Sequence, residues 1–209
     1  MNNYSQLTAL TFGIQAFITL LVVLDPPGVA PIFLALVADK SPKQRIRLAW
    51  QAAGVSLILI VTFAIAGQAI LGALHVSFSA LQGAGGLLLL LIALELLTGK
   101  GQEETAEGST NIAMVPLGTP LLAGPGAIVA TMLFAQSAST PLHKASLAVA
   151  IVLVHVVIGL TLMFSTQIVR IIRESGVTLL ARVAGLLSAA IAVEMIVASI
   201  KGFWPPSGG

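Results

Sequence analysis

There is no cysteine in the 209 residues, which removes disulfides, thiolate metal sites and cysteine nucleophiles together and leaves the redox compartment unread. Charge is almost as scarce, at 9% of residues against roughly 25% in an ordinary soluble domain. The three histidines are too scattered for a metal motif, so neither metal nor other cofactor is expected. A net charge of +2 drawn from so few groups makes no basic surface, and nucleic acid is not an expected partner. No Ser-His or paired-aspartate arrangement stands out, so an enzyme, including an intramembrane hydrolase, is the less favoured class.

What remains is apolar: 57% of the chain is hydrophobic, in continuous runs over 10–37, 48–74, 78–97, 112–136, 147–169 and 179–200. Each run reaches the roughly 20 residues that a helix needs to cross a bilayer. Their continuity argues against a β-barrel, whose strands alternate over about ten residues. The expectation is an all-α, multi-pass membrane protein of six helices, with the lipid bilayer as its solvent and no sizeable soluble domain. The N-terminus has no basic residue before its first run, so that run is expected to stay as a helix rather than be cleaved as a signal peptide. Residues 204–209 read as a flexible tail.

Basic residues set the orientation. Lys40, Lys43, Arg45, Arg47, Lys100, Arg170 and Arg173 fall in the first, third and fifth connections, whereas the other side holds Lys144 and Lys201. The positive-inside rule makes the first set cytoplasmic and both termini extracytoplasmic. The polar stretch 102–111 is the expected cytoplasmic linker between halves 1–101 and 112–203. These halves resemble one another. A shift of 99 positions lays Gly86-Leu87-Leu88 on Gly185-Leu186-Leu187, Ile92-Ala93 on Ile191-Ala192, Glu95 on Glu194 and Pro26 on Pro125. With three spans in each, an odd number, the second half must enter the membrane from the opposite side, as in inverted-repeat transporters.

The aligned prolines sit in Pro/Gly-rich interruptions of the first and fourth spans. In Leu24-Asp25-Pro26-Pro27-Gly28-Val29-Ala30-Pro31, three prolines lack amide donors, and the sequence predicts a discontinuous helix. The counterpart, Pro116 onward through Gly124-Pro125-Gly126-Ala127-Ile128, has the same ingredients. Backbone left unpaired near the midplane is tolerated where protein covers it or a wet cavity meets it, so a matched pair of breaks points to a binding site. Candidate substrate-binding residues are Asp25, Pro26, Pro27 and Gly28 with Gly124, Pro125, Gly126 and Ala127.

Asp25 has two readings that can hold together. A carboxylate deep in a span costs about 3 kcal/mol on insertion scales and is by default functional, here in substrate or proton handling. Asp before Pro is also a strong helix start, with the carboxylate accepting from the Gly28 amide and Pro26 at the first helical position. His155, deep in the fifth span, is a second coupling candidate or a histidine satisfied by a neighbouring helix. Glu95 and Glu194 read as interfacial side chains. Gly83, Gly85 and Gly86, like Ala181, Ala184 and Gly185, read as close-packing positions.

The run Asp25-Pro26-Pro27-Gly28-Val29-Ala30-Pro31-Ile32-Phe33 resembles the DPxGxxPxF motif of the MarC family, also called the small neutral amino-acid transporter family. Pro120-Leu121-Leu122-Ala123-Gly124-Pro125-Gly126-Ala127-Ile128 is similar to that family's second element. The likeness covers essentially the whole chain, with a departure at Val29, where many members carry asparagine. It implies a prokaryotic inner-membrane protein that moves glycine, alanine and other neutral amino acids, coupled to protons (or sodium). A zwitterion suits the residues: helix N-termini attract its carboxylate, and Asp25 or freed carbonyls take its ammonium. A passive channel or an exporter of another small solute, and a non-transporting scaffold or regulator, are the alternatives. Homo-oligomerisation is left open.

Overall fold

A computed structural model describes residues 8–98 and 123–204; residues 1–7, the expected linker 102–111, the upstream part of the second break at 116–122 and the tail from 205 lie outside them. The elements in chain order are α1 (Ala9–Leu24), α2 (Pro26–Leu36), α3 (Pro42–Ala73), α4 (Phe78–Thr98), α5 (Pro125–Ser137), α6 (Pro141–Met163) and α7 (Ser165–Phe203). Five stretches are long and apolar enough to cross a membrane, α1 and α2 together counting as one, and α5 is a shorter apolar helix. The six spans expected thus appear as five plus the described end of the fourth.

Helix starts follow local chemistry. Ser41 forms a capping box with Gln44 ahead of Pro42, and Thr140 accepts from the His143 amide ahead of Pro141. Thr8 caps α1 through the Thr11 amide. The cap-plus-proline starts of α2 and α5, and of α3 and α6, lie 99 residues apart: Asp25-Pro26 with Gly124-Pro125, and Ser41-Pro42 with Thr140-Pro141.

The last span departs from expectation. The fifth connection, expected near Arg170 and Arg173, is helical, and α7 runs for 39 residues from Ser165 to Phe203. Charged residues end a membrane-embedded stretch, but nothing in them ends hydrogen bonding. The interruption falls instead at Phe164, between α6 and α7.

The core is built from one stripe of most helices and from nearly the whole of α5. Phe12, Ala16, Leu20 and Leu24, four apart, form the buried face of α1, and Phe12 meets Phe134 of α5 edge to face at 5.6 Å. The opposite faces carry large apolar side chains outward, Ile65 being 81% exposed and Ile171 79%. Such a surface is a liability in water and the proper one in hydrocarbon.

α4 and α7 pack antiparallel through small residues. A Cβ on Gly86 would stand 2.9 Å from the carbonyl oxygen of Ala192, and one on Gly185 would stand 3.0 Å from that of Ala93. The close-packing role read for these glycines is met. The two contacts exchange under the 99-residue shift, since Gly86 maps to Gly185 and Ala93 to Ala192. Several helix pairings behave alike: α2 packs on α6 and α7 as α5 packs on α3 and α4, and the pairs α3 with α6 and α4 with α7 map onto themselves.

Candidate functional site

The first break is one residue wide. Asp25 takes a left-handed conformation (φ 39°, ψ 62°), ending α1 and starting α2. Asp25 falls near the middle of the 28-residue span Ala9–Leu36. The discontinuity expected within 24–31 is present, confined to Asp25. Pro26 and Pro27 occupy the first helical positions, where no donor is needed, and Pro31 is accommodated inside α2.

Asp25 is 8% exposed, and its Oδ1 accepts from the Gly28 amide at 3.3 Å, so the capping reading is realised. Capping does not exhaust the site. In an uninterrupted helix the amides of residues 26 and 27 would bond the carbonyls of Val22 and Val23, and proline supplies neither. The Val22 carbonyl is approached by the Ser188 hydroxyl of α7 at 3.5 Å. The carbonyl end of α1, the proline-led start of α2 and a carboxylate therefore meet at one buried point.

The second break has no such carboxylate. Gly124 starts α5 without a side-chain cap, and its carbonyl accepts from the amides of Ala127 and Ile128 at 3.0 and 3.2 Å. Gly126 and Ala127 are buried, Gly124 is half-buried and Pro125 is exposed. Leu24 and Val29, flanking the first break, and Ala123 and Ala127, flanking the start of α5, belong to one continuous buried core. The room read from glycine is taken up by protein: a Cβ on Gly28 would overlap the Asp25 carboxylate, and one on Gly126 would lie 2.9 Å from the Leu89 side chain. Val29, at the position where the motif often carries asparagine, is a core residue at 7% exposure.

His155 lies apart from the breaks in the chain, in the middle of α6. Its Nδ1 lies 2.7 Å from the Ile151 carbonyl oxygen and its Nε2 lies 3.1 Å from the Ser56 hydroxyl of α3. A carbonyl can only accept, so Nδ1 carries the proton in the neutral ring and Nε2 accepts from Ser56. Both residues are buried. Ser56 escaped the sequence reading, although 56 and 155 are themselves 99 apart and the shift already in hand would have paired them. Ser56→Ala strands a buried acceptor, and thermal unfolding in detergent should report a loss of about 1–3 kcal/mol; an unchanged transition means the pair carries no load. Glu95 and Glu194 are both exposed on the outer faces of α4 and α7.

These features define a polytopic α-helical integral membrane protein whose first span is broken at a buried aspartate. The chain belongs to the MarC family: the model for MarC family integral membrane proteins matches residues 10–204. It is 36% identical over 200 residues to UPF0056 membrane protein MJ1677 of Methanocaldococcus jannaschii, covering 92% of this chain and 98% of that one. A UPF0056 membrane protein of Archaeoglobus fulgidus is 34% identical (90% and 91% covered), and YhcE of Escherichia coli is 30% identical (90% and 92% covered). No solved structure matches the chain.

Proposed function

We propose that this protein is a secondary transporter that moves small neutral amino acids, glycine and alanine foremost, across the prokaryotic inner membrane by alternating access. A proton gradient, or a sodium gradient in its place, drives it. The observation that carries the reading is Asp25, buried at a one-residue helix break beside the helix-end carbonyls of α1. That arrangement offers an acceptor set for an ammonium group, and the uncapped start of α5 offers the positive end of a helix dipole for a carboxylate. Asp25, Pro26, Pro27 and Gly28 form one substrate-binding element; Gly124, Pro125, Gly126 and Ala127, at an uncapped helix start, form the other. Asp25 is the coupling group and His155 the second.

Alternating access needs two units that rock against each other. The halves 1–101 and 112–203, joined by 102–111, are read as inverted copies, with both termini extracytoplasmic. Support comes from the exchange of Gly86–Ala192 for Gly185–Ala93. A contact that maps onto itself by exchange has two-fold symmetry. Because α4 and α7 run antiparallel, the axis crosses the helices and lies in the membrane plane. Ser56 and His155, equivalent positions bonded to each other, mark a point on that axis.

The test is uptake of labelled glycine and alanine by proteoliposomes of the purified protein under imposed proton or sodium gradients. Accumulation beyond equilibrium, collapsed by an ionophore, is the expected result. Uptake no greater than in empty vesicles refutes the proposal.

A further inference from the structure

A cleft of about 540 Å³, within the roughly 300–1,000 Å³ typical of small-ligand sites, opens between α3, α5 and α6. It is separate from both breaks, meeting α5 at its far end, from Met132 to Ala138. Its wall is apolar, through Ile65, Met132, Leu147 and Ile151, and its polar side chains are Gln68, Gln136 and Lys144. Ile65 and Val152, which also line it, are 81% and 49% exposed, so the cleft is continuous with the surface that faces hydrocarbon. Its occupant therefore comes from the bilayer.

The same place in the other half is closed. Ala49 and Ala53, at the positions corresponding to the exposed Ala148 and Val152, are buried at 0% and 3%. Arg45, corresponding to Lys144, is folded back onto the carbonyls of Lys40 and Ala38 at 2.9 and 2.8 Å. The Lys144 ammonium, in contrast, has no hydrogen-bond or ion-pair partner among the described residues. It stands in the first turn of α6, where the helix dipole adds to its positive charge.

We infer that the cleft is a lipid site, holding one acyl chain of an anionic phospholipid whose phosphate is taken by Lys144 and the amides of Gln68 and Gln136. The comparison of the halves rests on the repeat proposed above; the cleft and its free lysine do not. An apolar cleft with a single cation in its lining fits one chain and one negative headgroup. A zwitterionic headgroup gains less from the same lysine.

Native mass spectrometry of the purified protein titrated with dioleoyl phosphatidylglycerol or dioleoyl phosphatidylcholine tests this without reference to transport. The parent protein should retain phosphatidylglycerol about fivefold more, the preference expected of one basic residue near a charged headgroup. Lys144→Gln should abolish that preference, and Ala148→Phe, which fills the cleft from an exposed position, should lower retention of both lipids. Equal retention by the parent, an unchanged preference in Lys144→Gln, or parent-like retention by Ala148→Phe overturns the assignment.

Discussion

Asp25→Asn should reduce gradient-driven amino-acid accumulation to the level of empty vesicles while leaving the protein folded. Asparagine tolerates the left-handed conformation at this position, and its side-chain oxygen can accept from the Gly28 amide as Oδ1 of Asp25 does. The substitution thus keeps the cap and removes the negative charge and the ability to bind a proton. Asp25→Ala separates the roles from the other side. It loses the cap, worth about 1 kcal/mol, and places a residue with no compensating hydrogen bond in the left-handed region, at roughly a further 1–2 kcal/mol. The expected pattern is a stable but inactive Asn variant and an inactive, less stable Ala variant. Parent-like accumulation by Asp25→Asn would leave Asp25 as a cap and nothing more.

The largest structural effect is expected at the α4–α7 interface. Gly86→Leu and Gly185→Leu each drive a side chain into the backbone carbonyl of the facing helix, at Ala192 and at Ala93. Backbone cannot swing aside as a side-chain tip can, so each should cost about 3 kcal/mol. The two losses should also be similar, because the contacts are copies of one another. Gly72→Leu is the control: it is exposed, and nothing described lies within 4 Å of its added Cβ. Thermal unfolding followed by size-exclusion chromatography should show early loss of both interface variants and none of the control. If either interface variant melts with the parent, the helices are not held at that point.

How much of this was legible depended on what each signal measures. Hydropathy reports transfer into hydrocarbon, so the spans emerged almost unaided. It does not report hydrogen bonding, which is why Arg170 passed for a connection although α7 continues through it. Proline reports a missing donor. It does not say whether one was needed, and Pro26 and Pro27 at a helix start cost α2 nothing. The resulting break is narrower than the proline count implied, and its left-handed residue is the aspartate rather than the glycine. The capping of Asp25 by the Gly28 amide was readable because it is local. The Ser56–His155 bond joins helices far apart in sequence, and only the repeat offset could have brought the two together.

The inverted arrangement of the halves is tested most directly by sidedness. The chain has no cysteine, so single introduced thiols report without background. Lys43 and Leu142 are exposed, lie one residue into α3 and α6, and are separated by the repeat offset of 99. Lys43→Cys and Leu142→Cys should react with a membrane-impermeant maleimide from opposite faces, the first only in inside-out vesicles and the second only in right-side-out cells. Labelling of both from the same face would contradict the inverted repeat and the alternating-access mechanism built on it.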